Sequence, residues 1–451
     1  MARLRFSSVN ITLFLYFAGL AAVGSFLLQL PFAYTAGKAV PYIDALFTAV
    51  SALCVTGLST VDMGVYTLLG FFFILFLIEA GGLGLMTFFI FYLVLPTHKI
   101  SLVNRHIVRD YFISDIEAEP RKIISRIFIY TFAVQASGAL MLFFQLRAAG
   151  ERHAIFYSIF LSVSAFCNAG FAPYSDNLHR FSGSMLCMTI AFLIVMGGLG
   201  FTVMQDMAQN LYYRLHGKKR RVSFHSKIVF VMSGLLIFIP AFIFFFSEKN
   251  HAFSSFSTAQ RACDALFQSI TARTAGFETV AQSSLSSLAS LITTLLMFVG
   301  GSPGSMAGGI KTTTLFLVFC YAFRSQDDQN LITVFKHDIP DSASRKAAEI
   351  LIKACLFLCT AAALLCITEH AALSDGNVSL GSLIFETVSA FGTVGLSKGA
   401  TMALSTTGKL VIIATMFFGR TGIITMTLSF RSTANNLKRL VDFPQSPVLV
   451  G

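Results

Sequence analysis

The chain has 451 residues, 55% of them hydrophobic and 12% charged, with a mean hydropathy of +0.73. So much apolar surface exceeds what a soluble core can hide, which excludes a soluble globular enzyme and describes a polytopic membrane protein. The formal net charge of +11 and the run Lys218-Lys219-Arg220-Arg221 would suit nucleic acid. Most of the Lys and Arg residues, however, fall in one alternate set of connections and tails, which is the positive-inside bias of a membrane topology with both termini in the cytoplasm. Setting the topology is enough to account for this charge; anionic membrane lipid or a soluble partner is the alternative use of the face, and nucleic acid is not expected as a partner.

In chain order, the first apolar segment runs over 9–30, long enough to span and without a small-residue cleavage site, so it is read as a retained helix. A second span covers 67–95, and the segment Asp44–Val55 between them is too short to cross, the length of a re-entrant piece. The same unit recurs with spans 123–146 and 184–206 around 154–167, spans 227–247 and 287–323 around 260–273, and spans 348–368 and 405–430 around 381–392. The chain therefore divides into repeat 1 (1–100), repeat 2 (101–222), repeat 3 (223–335) and repeat 4 (336–451), within one membrane domain. The connections 98–126, 214–227 and 324–353 and the tail 431–451 are basic and hold no run long enough for another domain.

Two crossings per unit put all four repeats in one orientation, and parallel repeats imply an axis along the membrane normal. The expected fold is an all-α membrane protein of eight transmembrane helices plus four re-entrant pore helices, arranged as four parallel helix–pore helix–helix repeats about a pseudo-four-fold central pore. Non-helical turns at membrane depth are tolerable only where they line a water-filled path.

Each short segment ends in a polar turn with a glycine. The turns are Val55-Thr56-Gly57-Leu58, Asn168-Ala169-Gly170-Phe171, Thr274-Ala275-Gly276-Phe277 and Thr393-Val394-Gly395-Leu396, their glycines about 113, 106 and 119 residues apart. A bare cation entering a low-dielectric interior loses on the order of tens of kcal/mol of hydration. Rings of backbone carbonyls from such turns can replace that water. Glycine gives the backbone the freedom this needs, and the partly negative C-termini of the short helices favour a cation.

A second glycine-rich point follows each turn: Gly81-Gly82-Leu83-Gly84, Gly197-Gly198-Leu199-Gly200, Gly300-Gly301-Ser302-Pro303 and Gly419-Arg420-Thr421-Gly422. In phase, Arg420 stands where the others have Gly82, Gly198 and Gly301. An arginine at membrane depth is costly and marks function, facing water or the protein interior. In repeat 3, Ser302-Pro303 and the glycines at 304, 308 and 309 should break the helix 287–323 in mid-membrane. A phosphate-binding loop is excluded there, because Ile310 separates Gly309 from Lys311 and no strand precedes it.

The four turns, together with Gly300-Gly301-Ser302-Pro303-Gly304 and Gly308-Gly309-Ile310-Lys311-Thr312-Thr313-Thr314, resemble the Trk/Ktr/HKT superfamily of cation transporters over nearly the whole chain. Eight spans without leading helices look more like its Ktr-type membrane subunit. The resemblance implies potassium uptake, with the four turns as a selectivity filter whose carbonyls carry K+. Glycine at all four positions is similar to the potassium-selective members, since some sodium-preferring relatives carry serine in the first turn. It implies an intramembrane gating loop of Gly304, Ser305, Met306, Ala307, Gly308 and Gly309, with Lys311 near its end, and a barrier at Arg420 below the filter. It also implies a homodimer on a cytosolic nucleotide-binding regulatory ring in the cytoplasmic membrane, with Na+ a possible coupling ion and no organic cofactor on this chain.

The residues leave some points open. A sodium or ammonium pathway is the alternative within the superfamily. A membrane-embedded enzyme is a remote one, because none of the nine histidines pairs with a plausible ligand set inside a span. Glu79 reads either as a partner of Arg420 or the cation path, or as a hydrogen-bonded packing residue. Arg273 matches the family's third turn and is expected to brace the filter. Asp44, Asp264 and Glu386 are read as carboxylates stabilising the starts of pore helices, with an outer cation-attracting ring as the alternative. The eight cysteines form no CxxC pair and are expected as buried free thiols. The phenylalanines are read as lipid-facing and packing residues.

Overall fold

Every predicted span and short segment contains helix in the computed structural model, which describes residues 8–35, 40–94, 120–218, 220–323, 332–335 and 337–429. Repeat 1 consists of α1 (Ser8–Gln29), the short α2 (Tyr42–Leu53) and α3 (Leu68–Val94). Repeat 2 has α4 (Pro120–Ala148), the short α5 (Ala154–Phe166), then α6 (Met185–Leu199) and α7 (Phe201–Leu215). Repeat 3 has α8 (Phe224–Ser247), the short α9 (Thr258–Thr271), α10 (Ser287–Phe298) and α11 (Thr312–Ala322). Repeat 4 has α12 (Asp341–Thr368), the short α13 (Leu380–Gly392) and α14 (Thr406–Ser429). Residues 98–119 of the first connection and 324–331 and 336 of the third, together with residues 1–7 and the tail from 430 onward, lie outside the described residues.

Serines start many of these helices. Ser223, Ser257 and Ser286 each accept a hydrogen bond from the backbone N–H three residues on, and Ser379 and Ser382 cap each other reciprocally. Helices α4, α8 and α12 are each long and apolar enough to cross a bilayer. Their outer faces carry exposed rings such as Phe144, Phe238 and Phe242, which in a multi-pass membrane protein face lipid. The core lies around the short helices. Phe47, Phe160, Phe267 and Phe385, nine or ten residues before their turn glycines, are each no more than 1% exposed. Packing between repeats then runs in one sense: α3 against α5, α6 against α9, α10 against α13, and α14 back against α2.

Three departures from expectation stand out. The span 184–206 is not one helix: Gly200 takes φ +85°, and α6 and α7 meet at 104°. The freed N–H of Phe201 is satisfied by the Gly304 carbonyl, so the break in repeat 2 is held by the loop of repeat 3. The chain is mostly helical but not wholly so, since β1 (Ile332–Val334) and β2 (His337–Ile339) form an antiparallel hairpin in a basic connection. It stacks on the start of α8, where the Phe224 and His337 rings lie 4.7 Å apart. All eight cysteines are free, yet burial holds only for Cys54, Cys167 and Cys187; Cys355 and Cys359 are exposed on α12.

Candidate functional site

Each short helix ends the same way. The residue two before the turn glycine takes a left-handed conformation, with φ of 56° at Val55, 60° at Asn168, 67° at Thr274 and 50° at Thr393, and the glycines themselves have φ between 72° and 96°. Three of the four left-handed residues are β-branched, a placement that costs on the order of 1–3 kcal/mol and persists only where its surroundings impose it. The constraint comes from a hydroxyl residue followed by alanine near the end of every short helix: Ser51-Ala52, Ser164-Ala165, Thr271-Ala272 and Ser389-Ala390. The Gly57 N–H donates to Ser51 Oγ and the Gly395 N–H to Ser389 Oγ, both at 3.1 Å. Ser164 and Thr271 instead donate to the carbonyls of Phe171 and Phe277, at 2.8 and 2.7 Å. The sequence reading missed these hydroxyls, although the fourfold hydroxyl–alanine pair was its own signal.

The turns close on one another. A methyl group on Gly57 would lie 2.5 Å from the Ala169 carbonyl oxygen, one on Gly170 2.7 Å from Ala275 O, one on Gly276 2.1 Å from Val394 O, and one on Gly395 2.3 Å from Thr56 O. In each case the neighbouring turn's glycine Cα follows at 3.0–3.1 Å. The order 57, 170, 276, 395 and back to 57 is a cycle in which each glycine backs onto the carbonyl that precedes the next. Leu58, Phe171, Phe277 and Leu396 are buried behind it.

The second glycine-rich points have two functions in the packing. A side chain on Gly81, Gly197 or Gly419 would strike the carbonyl of Leu53, Phe166 or Phe391, the last or nearly last residue of its own short helix, at 1.8–2.0 Å. These glycines let each long helix touch the end of its short one. The next position faces inward, Gly82 toward Cys167 and Met306, and Gly301 toward Gly198 and Ala307.

At the same phase Arg420, 8% exposed, reaches out of repeat 4. Its guanidinium donates to the carbonyl of Met306 in repeat 3 and, at 3.2 Å, to that of Gly81 in repeat 1. Residues 299–311 form the break between α10 and α11, tied at its base where Val299 pairs with Ile310. The loop seats on the end of α6: Ser302 and Met306 N–H groups donate to Gly198 and Gly197 carbonyls at 3.0 and 3.2 Å. Ser302 Oγ donates to Leu199 O. Gly304 and Gly309 have positive φ, and Gly308 leaves no room for a side chain against Thr393. Ser305 and Ala307 are buried within the loop, and Lys311 Nζ donates back to Ala307 O at 2.6 Å.

The remaining polar residues sit around this frame. Arg273 reaches the Gly300 carbonyl at 3.5 Å, joining the third turn to the loop's base. Glu79 does not pair with Arg420; its Oε2 accepts from Gln135 Nε2 at 3.2 Å and from Cys167 Sγ at 3.4 Å, a packing arrangement between repeats 1 and 2. The reading of three carboxylates as helix-start stabilisers holds only for Asp44, which lies in the first turn of α2. Even there Asp44 Oδ1 accepts from Thr60 beyond the turn, at 2.6 Å, and from Lys409 of α14, at 2.5 Å. Glu386 likewise accepts from Ser397, Lys398 N and Thr401, and Asp264 from Ser182 and Gly183 N. A carboxylate several residues into a helix is past the reach of the first-turn amides, so these bind loops.

Comparison with known proteins gives the family and the fold. A family model described as TrkH, cation transport protein, matches residues 21–438. The chain is 34% identical to the potassium/sodium uptake protein NtpJ of Enterococcus hirae, over 95% of this chain and 94% of that one. It is 32% identical to the Ktr system potassium uptake protein B of Vibrio alginolyticus, over 97% and 94% of the two chains. The crystal structure of the potassium transporter TrkH from Vibrio parahaemolyticus superposes with a TM-score of 0.73 at 19% identity, covering 95% of this chain and 86% of that one, a likeness of fold.

Proposed function

The chain belongs to the TrkH/Ktr family of cation transport proteins, and from that premise we propose that it takes up potassium across the cytoplasmic membrane as the ion-translocating subunit of a Ktr- or Trk-type system. The observation that carries this reading is the cycle of turn glycines, each against its neighbour's carbonyl. Thr56, Ala169, Ala275 and Val394 supply equivalent carbonyls on one closed ring, and equivalent oxygens are what a partly dehydrated cation needs to exchange its water without a large barrier. The short helices end at the ring, so the negative ends of their dipoles add to the attraction. Strained left-handed residues pinned by Ser51, Ser164, Thr271 and Ser389 keep the oxygens from spreading to fit a differently sized ion.

Below the ring, the 304–309 segment is the gate and Arg420 its latch. The positive guanidinium repels a cation in a medium that screens charge poorly, and its bond to Met306 holds the loop across the path. Opening breaks that bond and lifts the loop from Gly197 and Gly198. The basic connections face the cytoplasm, with both termini. There a homodimer meets a cytosolic nucleotide-binding ring, a reading supported by relatives named as parts of Ktr systems. Sodium as a coupling ion or second cargo is favoured by one relative's description as a potassium/sodium uptake protein.

The test is rescue of a potassium-uptake-deficient cell at low external potassium, with and without sodium. Growth that needs potassium and the intact chain supports the reading. Failure to rescue despite membrane expression, or rescue of sodium uptake alone, rejects potassium as cargo.

A further inference from the structure

The bend at Gly200 points α7 away from the membrane-crossing direction of α6. Its first turn is anchored, with Val203 buried against Leu199 and Val229 of the spanning helices. The same face continues by steps of four residues to Met207, Leu211 and Leu215, which are 40%, 60% and 77% exposed. An apolar stripe that begins among buried residues of the spanning helices and continues as exposed side chains is suited to the boundary of the acyl chains. Tyr212 is exposed beside it, the kind of ring that settles at headgroup level.

Charge completes the pattern. Residues 201–227 hold Arg214, Lys218, Lys219, Arg220, Arg221 and Lys227 against the single acid Asp206. Asp206 is buried and engaged: its Oδ2 accepts from Ser223 N at 2.9 Å, and Arg220 lies 3.9 Å from Oδ1. Arg220 is further pinned to the polar side of α7 through Gln209 and Tyr213. Arg214, Lys218, Arg221 and Lys227 are exposed and have no ion pair among the described residues. Basic residues with no acid partner among the described residues, beside an exposed apolar stripe, fit anionic phospholipid.

We propose that α7 is an interfacial helix that binds anionic phospholipid headgroups along its basic edge and, through the Gly200 hinge, sets how the 299–311 loop is seated. The mechanical link is direct. Phe201 N–H, the first of α7, donates to Gly304 O at 3.0 Å, and a side chain on Gly200 would strike Ser302 Oγ and Pro303 O at 2.6 and 2.7 Å. Tilting α7 therefore pulls on the loop. The regulatory half rests on the reading of that loop as the gate; the lipid-binding half does not.

The chain contains no tryptophan, so Leu211→Trp introduces a single reporter into the full protein in vesicles. Acyl-brominated lipid is expected to quench it strongly and aqueous acrylamide weakly, with Gln209→Trp on the polar side behaving oppositely. Brominated phosphatidylglycerol should quench about tenfold more efficiently per lipid than brominated phosphatidylcholine, a preference lost when Lys218→Gln and Arg221→Gln are added. Rubidium uptake should rise several-fold when phosphatidylglycerol is added to phosphatidylcholine vesicles, and the double variant should keep its uptake in phosphatidylcholine but lose the rise. Acrylamide quenching of Leu211→Trp, or shielding from both quenchers as a second protein copy would give, overturns the interfacial placement. Quenching as expected with no lipid effect on flux overturns the regulatory half. If deletion of 304–309 also leaves flux unchanged, the fault lies with the gate reading, and the lipid site stands.

Discussion

The cycle of turns and the second glycine-rich points differ in how alike their four copies are. In the ring, all four copies agree in backbone conformation, in a hydroxyl that pins the turn and in the contact each makes with the next. In the layer below, the long helix is continuous in repeats 1 and 4, bent by 104° at Gly200 in repeat 2 and opened into a loop in repeat 3, and one of four inward positions is Arg420 in place of glycine. Equivalent oxygens around one ion require equal units, so mutation of any one copy is costly. A latch needs a part that moves and a part that holds it, which four identical units about an axis cannot supply. On the proposed reading, the likeness of the four turns serves recognition and the unlikeness of the four second points serves gating.

The largest effect expected from this contrast is at the ring. Gly276→Ala places a methyl group 2.1 Å from Val394 O at a residue with φ +77°, and uptake should fall at least about a hundredfold, a barrier increase of about 2.7 kcal/mol. Gly57→Ala, Gly170→Ala and Gly395→Ala should each do the same, measured as rubidium uptake by protein that still elutes as the wild type does. A single tolerated position among the four would break the claim of equivalence.

In the lower layer, one substitution should act alone and in the other direction. Arg420→Ala removes the charge and the bond to Met306, and rubidium flux is expected to rise about tenfold, or about 1.4 kcal/mol. Unchanged flux would mean that Arg420 only satisfies carbonyls between helices. Deleting 304–309 should raise flux similarly, and the two changes together should add little, since both release the same latch.

How much of this could be read from the sequence follows the same division. The turns were legible because their glycines, which take positive φ, recur in phase, whereas the left-handed Val55, Asn168, Thr274 and Thr393 beside them carry no such signal. The break in repeat 3 was legible because Pro303 cannot continue a helix. Gly200 was not, since the matching Gly81-Gly82-Leu83-Gly84 of the first long helix stays helical, and the break at Gly200 is held by the Gly304 carbonyl, far away in sequence. Gly81, Gly197 and Gly419 were seen as markers of a constriction, while their contact with the ends of the short helices depends on tertiary approach. The pairing of Asp44 with Lys409 spans nearly the whole chain, so no local pattern could announce it.

That ion pair sharpens the comparison at intermediate size. It joins repeat 1 to repeat 4 beside the ring, with both side chains mostly buried. Asp44→Asn should lower stability by about 1 kcal/mol, less than the 3–5 kcal/mol of a fully buried pair because water reaches its edge. Thermal unfolding in detergent measures this. Selectivity between rubidium and sodium should hold if the hydroxyls, and not the outer clamps, fix the turns.

The smallest effect belongs to charges outside both layers. Asp176, in the loop before α6, is bonded to Arg180, which also reaches Glu151 and lies 4.4 Å from the Tyr174 ring. Burial alone would raise the Asp176 carboxyl, but the hydrogen bond and charge of Arg180 outweigh it and hold the group below its ordinary value. A depressed acid contributes stability above its unfolded pKa of about 3.9 and loses it as pH falls through the folded value. Asp176→Asn should therefore cost less than about 1 kcal/mol at neutral pH, as exposed pairs do, and the difference from wild type should begin to shrink as pH falls toward about 4 and vanish only below the depressed folded value. Uptake should be unaffected at neutral pH. A loss of flux as large as that of a ring glycine would show that the outer loops share in recognition, and that the division between the equivalent ring and its specialised surroundings is drawn in the wrong place.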